Sequence, residues 1–163
     1  PDTSRDGSQV RPPVTGPAAW TAGRDRGSRT VDAEALGEQL QALRDAICMT
    51  TTAPIECRLT DLVGGQAAPI ITAATAGFAD QPGTTIMVDP DRESGRGYYR
   101  DLCFKVTAQL ETGEIEIGDG GFTTWTAQLL GNRKERLLTS GLGLDRLEPV
   151  GRNQAEESQG QRP

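Results

Sequence analysis

A tyrosine pair, a glycine pair and a glycine-spaced arginine are the residues of this chain best suited to chemistry. Tyr98-Tyr99 opens the run Arg100-Asp101-Leu102-Cys103-Phe104-Lys105-Val106. Gly120-Gly121 follows within Gly118-Asp119-Gly120-Gly121-Phe122, and Gly141-Leu142-Gly143-Leu144-Asp145 leads to Arg146-Leu147. A planar guanidinium can grip phosphate through two parallel charge-assisted hydrogen bonds. Glycines let a ligand or another backbone come close. Each element also has a plainer reading: a strand-edge packing pair for the tyrosines, a tight strand-to-helix turn for Gly120-Gly121, and a surface arginine after a glycine-rich strand for Arg146.

Much other chemistry is excluded. The chain has no histidine, so Ser-His-Asp and Cys-His arrangements and histidine-metal clusters cannot form within it. Gly118 to Gly121 lacks the Gly-Lys-Ser/Thr of a phosphate loop and the spacing of a dinucleotide fingerprint. Asp89, Asp91 and Glu93 surround Pro90 and Arg92 and read as an exposed turn rather than a cation site. Cys48, Cys57 and Cys103 are odd in number and lack metal-ligand spacing, so they read as reduced thiols of a cytosolic protein, with no metal bound.

The 17 basic and 23 acidic residues give a formal net charge of -6. That balance argues against a surface dominated by nucleic-acid phosphates, which needs Lys and Arg to displace counterions. Arg133, Lys134 and Arg136 form the best local basic patch, and around Glu135 they read as a solvated loop rather than a tRNA contact. The most apolar stretch, 67–79, is interrupted by Pro69, Thr72, Thr75 and Gly77 and falls short of the ~20 residues of a membrane span, so no membrane partner is expected. Beginning on Pro1, the sequence reads as a piece of a longer reading frame.

These groups need elements to hold them. Residues 1–30 are rich in Pro, Gly and charge and are expected to be disordered, as is the tail 149–163. The foldable part is 31–148. Leu36, Leu40, Leu43 and Ile47 fall on one side of a helix over 31–47, with Thr30 or Asp32 as cap. Residues 55–83 show no clean period, and Ile70-Ile71 fits a strand or a short helix. Thr84 to Val88 is a β-branched strand stopped by Pro90. Leu102 to Leu110 alternates as a strand with one buried face, Thr112-Gly113 turns the chain, and Glu114 to Ile117 alternates again, giving an antiparallel hairpin that Gly118 to Gly121 ends. A helix over 122–130 would be capped by Thr123 or Thr124 and turn Phe122, Trp125, Leu129 and Leu130 inward, with Gly131-Asn132 as its stop. Leu137 to Leu144 is a final strand. The class is α+β: an antiparallel sheet with flanking helices.

In this order and at this spacing, the tyrosine pair, the glycine pair and Gly-Leu-Gly-Leu-Asp-Arg-Leu resemble the closing half of a class II aminoacyl-tRNA synthetase core, and most nearly its histidyl branch. The resemblance covers residues 84–147. It implies that Tyr98 and Tyr99 begin a strand at an amino-acid pocket and that Gly120 and Gly121 lay backbone against the amino acid. It further implies that Gly141 and Gly143 lie under the adenine and that Arg146 pairs with ATP phosphate, with Mg2+ as the companion ion. Activation in such a site holds carboxylate and α-phosphate in line and neutralises developing charge.

The chain departs from that pattern at several points. Ser94 stands where the family has an arginine four residues before the tyrosine pair, leaving Arg92 or Arg96 as displaced substitutes. Lys105 replaces a glutamate, and Phe122-Thr123-Thr124 replaces Arg-Tyr-Asp. The dimer-forming first motif, the second motif with its ATP-clamping arginine and an anticodon-binding domain are not found. The resemblance therefore implies a partial, histidyl-type domain related to ATP-dependent amino-acid activation and inactive as an isolated chain. The alternative is a non-catalytic amino-acid-binding paralogue like the regulatory subunit of ATP phosphoribosyltransferase. Amino acid and ATP are the implied ligands, and a homodimer or a larger parent protein the implied assembly.

Overall fold

The four apolar residues at helical spacing, Leu36, Leu40, Leu43 and Ile47, are all buried along one stripe of a 19-residue helix, α1 (Thr30–Cys48). Each such side chain contributes about 1.5–3 kcal/mol by leaving water. The structure, a computed structural model, describes residues 16–78, 80–111, 113–143 and 146. Before α1 comes strand β1 (Ala18–Arg24); after it come β2 (Ile55–Asp61), α2 (Ala68–Thr75), β3 (Thr84–Val88), β4 (Arg100–Leu110), β5 (Gly113–Thr123), α3 (Trp125–Leu129) and β6 (Glu135–Leu142). The strands form one six-stranded sheet in the order β1-β6-β5-β4-β2-β3.

The architecture is the expected α+β sheet flanked by helices. All neighbouring strands are antiparallel except β2 and β3, which run parallel because α2 carries the chain back across the sheet. The core unites α1 and α2 with one face of the sheet, where Leu59, Phe104, Val106, Phe122, Leu138 and Leu142 are buried. Among the described residues, the other face carries no long helix.

Several local expectations are corrected. Ala18–Arg24, within the segment expected to be disordered, pair along β6 from Gly141 to Glu135; residues 1–15 and the tail 149–163 lie outside the described residues. The period missed between 55 and 83 belongs to β2, whose IECRLTD mixes charge with buried Ile55, Cys57 and Leu59, and to α2. Neither Thr30 nor Asp32 caps α1: Arg29 holds the cap position at φ 54 with no side-chain cap bond, and Asp32 is drawn into an ion pair. Gly118 to Gly121 does not end the hairpin. It continues β5, because β4 and β6 supply backbone partners on both sides. Phe122 consequently belongs to β5, the helix shortens to Trp125–Leu129 without a side-chain cap, and Trp125, Leu129 and Leu130 are exposed rather than turned inward.

One charged cluster ties the first turn of α1 to the sheet. Asp32, fully buried, receives Arg136 Nε at 2.9 Å on one oxygen and Nη2 at 3.0 Å on the other. Arg136 also reaches Asp101 at 2.5 Å, as Arg29 does at 2.7 Å. Asp101 adopts φ 61 where β4 shifts register between Arg100 and Cys103. Arg136 is thus occupied inside the fold, and only Arg133 and Lys134 of the expected basic patch are exposed.

Candidate functional site

Direct cross-strand neighbours project from the same face of a sheet. On the face away from α1, one row runs Lys105, Asp119, Gly141 and the next runs Cys103, Gly121, Thr139. The helix-side row between them is Phe104, Gly120, Ser140. The two expected glycines therefore point to opposite faces. A Cβ at Gly120 would sit 2.5 Å from Phe104 Cζ and 2.6 Å from Thr139 O, so this glycine serves core packing. A Cβ at Gly121 would sit 2.6 Å from Tyr99 Cδ1 and 2.9 Å from Cys103 Cβ. Of the two pairs, Tyr99 and Gly121 meet, the protein's own Tyr99 ring filling the space over that glycine.

Tyr98 and Tyr99 divide their tasks. Tyr99 is buried and donates its hydroxyl to Asp119 Oδ2 at 3.2 Å. Burial, reinforced by Asp119, pushes its phenol above the usual range, so it remains a proton donor. Tyr98 is exposed and stands edge-on to Tyr99 at 4.9 Å and to Trp125 at 5.5 Å between ring centroids. It forms an aromatic wall at one end of the face.

Two residues that the sequence did not single out as site residues hold the centre. Asp119 lies mid-strand, where burial raises its carboxyl above the ordinary value against the lowering pull of the Tyr99 bond and Arg92. Arg92 is buried beneath its own loop, donating Nε to Ser94 O at 2.9 Å and placing Nη2 3.6 Å from Asp119 Oδ2. Its Nη1 has no hydrogen-bond partner among the described residues. Of the two displaced arginines, Arg92 thus turns to Asp119, whereas Arg96 ties the loop by donating to Arg92 O and Pro90 O. The sequence signal was a lone charge between glycines in Gly118–Gly121, visible but undirected until the register is known.

At the other end, Arg146 donates Nη1 to Glu116 O at 3.0 Å and lies 3.6 Å from Glu116 Oε1. Gly143 is buried, its N–H bonded to Ile117 O. Gly141 differs: among the described residues nothing lies within 4 Å of where its Cβ would be, so within them the sheet is bare beside Asp119. Leu144, Asp145 and Leu147 lie outside the described residues. Among the described residues no three His, Cys, Asp or Glu side chains could hold a metal ion, and no helix is long and apolar enough to cross a membrane.

A histidyl-tRNA synthetase of S. aureus superposes on this chain with a TM-score of 0.61 at 15% identity, over 82% of this chain and 38% of that one. The fold is that of a class II synthetase core. A protein assigned as a threonyl-tRNA synthetase of Aeropyrum pernix agrees, with a TM-score of 0.55 at 12% identity over 88% of this chain and 36% of the other. The chain thus spans well under half the length of either. No family model and no curated protein sequence matches it.

Proposed function

We propose that this chain is a partial class II synthetase-like domain of histidyl type, related to ATP-dependent amino-acid activation, that binds an amino acid on its open sheet face and does not activate it alone. One observation supports this above the others: Tyr99, with Tyr98 edge-on to it, lies at Gly121 on the same face as bare Gly141, with Asp119 between that platform and the tyrosines. An amino acid would lie against the tyrosine end. A flat ring would lie over Gly141, and the nitrogens of Arg146 not bonded to Glu116 would meet phosphate. A cytosolic setting and assembly into a dimer or larger parent belong to the same reading.

Activation needs groups converging on the α-phosphate. One phosphate arginine supplies about 1.5–3 kcal/mol, against several kcal/mol of freedom lost on binding. We therefore expect at most weak ATP binding and no amino-acid-dependent pyrophosphate exchange by the chain alone. Robust exchange that disappears in Arg146→Ala would overturn this.

The regulatory, purely amino-acid-binding reading draws support from a different feature, the half-exposed carboxylates of Asp119 and Glu116 near Arg146, which oppose an incoming phosphate. Tight histidine binding without exchange, lost in Tyr98→Ala or Tyr99→Ala, would select it.

A further inference from the structure

The bare patch over Gly141 is bordered by Asp119, whose hydrogen bonding is incomplete. Oδ2 accepts the Tyr99 hydroxyl at 3.2 Å and faces Arg92 Nη2 at 3.6 Å, while Oδ1 accepts no hydrogen bond among the described residues. Relative exposure decides which charge the patch presents. The acidic side chains of Asp119 and Glu116 are 46% and 42% exposed. The cations nearest the patch are already held: Arg92 is 4% exposed, Arg146 is 30% exposed and bonded to Glu116, and exposed Arg96, on the Cys103 side, is tied to Arg92 O and Pro90 O. Lys105, at 22%, lies 3.8 Å from Asp89. A ligand settling on this face therefore meets carboxylate oxygen before it meets positive charge. Arg92 donates its Nε to Ser94 O at 2.9 Å and faces Asp119 through Nη2 on the Oδ2 side.

We propose that Asp119 is a ligand-recognition residue that receives a protonated amine through Oδ1 as the ligand lies over Gly141. This deepens, and rests on, the reading of the face as an amino-acid site. The amine could be an α-ammonium or a basic side chain, and the shared chemistry is a cationic N–H donor on a charge-assisted bond to carboxylate. Tyr99 and Arg92 act through Asp119, fixing its rotamer so that Oδ1 faces the patch.

The test is a titration of the 163-residue chain followed by backbone amide shifts, with L-histidine, Nα-acetyl-L-histidine, histamine and ethanolamine as probes. Shifts at Asp119 and Gly141 with the amines are expected, weakened at least about tenfold, about 1.4 kcal/mol, in Asp119→Asn. Gly141→Leu, which covers the patch without altering the carboxylate, should weaken binding similarly, and an unchanged melting temperature in either variant shows that the fold persists. Loss on acetylation assigns the α-ammonium, and retained Asp119-dependent binding assigns the ring base; both support the proposal. If the simple amines bind through Asp119 while histidine does not, the amino-acid function fails and the amine site stands. Histidine binding indifferent to both substitutions overturns the amine site and leaves the function, and no shift with any probe overturns the amine site.

Discussion

The Tyr99 ring occupies the place of the side chain that position 121 lacks: a Cβ on Gly121 would lie 2.6 Å from both Cγ and Cδ1 of the ring. This contact joins the loop before β4 to the C-terminal part of β5 and leaves the Tyr99 hydroxyl within reach of Asp119.

Gly121→Ala should therefore destabilise the fold by about 1–3 kcal/mol, the usual cost of forcing a methyl group into a filled space. Urea unfolding reads the loss, and combining it with Tyr99→Ala reads its origin. In the double variant the alanine should cost much less than in the wild type. An equal cost in both backgrounds would mean that the ring is not what position 121 must accommodate.

Asp32→Ala removes the buried partner of Arg136 and leaves its guanidinium in the fold with Asp101 alone. A loss of about 3–5 kcal/mol is expected, as for breaking one side of a buried pair. The pair between Arg24 and Glu135 is shorter, at 2.5 Å against 2.9 Å for Asp32 and Arg136, yet Arg24 is largely exposed. Arg24→Ala should cost under about 1 kcal/mol. Comparable losses on chemical denaturation would refute the distinction, which rests on burial rather than distance.

Thiol labelling should separate the cysteines. Burial pushes the Cys57 thiol up to about 12, so at pH 8 only about one molecule in 10⁴ carries its thiolate. Cys103 is also raised, first by burial. Both shifts suppress the reactive form throughout the neutral range, and only pH well above it would restore it. Cys48 is exposed near the end of α1. Peptide mapping of the native chain should find modification at Cys48, and at all three cysteines after denaturation; early labelling of Cys57 would contradict the burial.

The sequence alone determined what depends on local spacing. The stripe Leu36, Leu40, Leu43 and Ile47 placed α1, and the alternation through Leu102 to Leu110 placed β4, because burial of one face imposes periods of about 3.6 and 2. It also exposed the order of tyrosine pair, glycine pair and glycine-spaced arginine that led to the synthetase fold. What it left undecided depends on partners distant along the chain. Gly118 to Gly121 has poor strand propensity and became strand only because β4 and β6 flank it. Ala18–Arg24 looked too polar to order and is held by backbone pairing with β6. The same register sends Gly120 to the core and Gly121 to Tyr99, and sets Asp119 between Lys105 and Gly141. Side-chain direction in a sheet reverses with a one-residue shift, so only the tertiary structure could bring Asp119 to the candidate site and choose Arg92 over Arg96 as its partner.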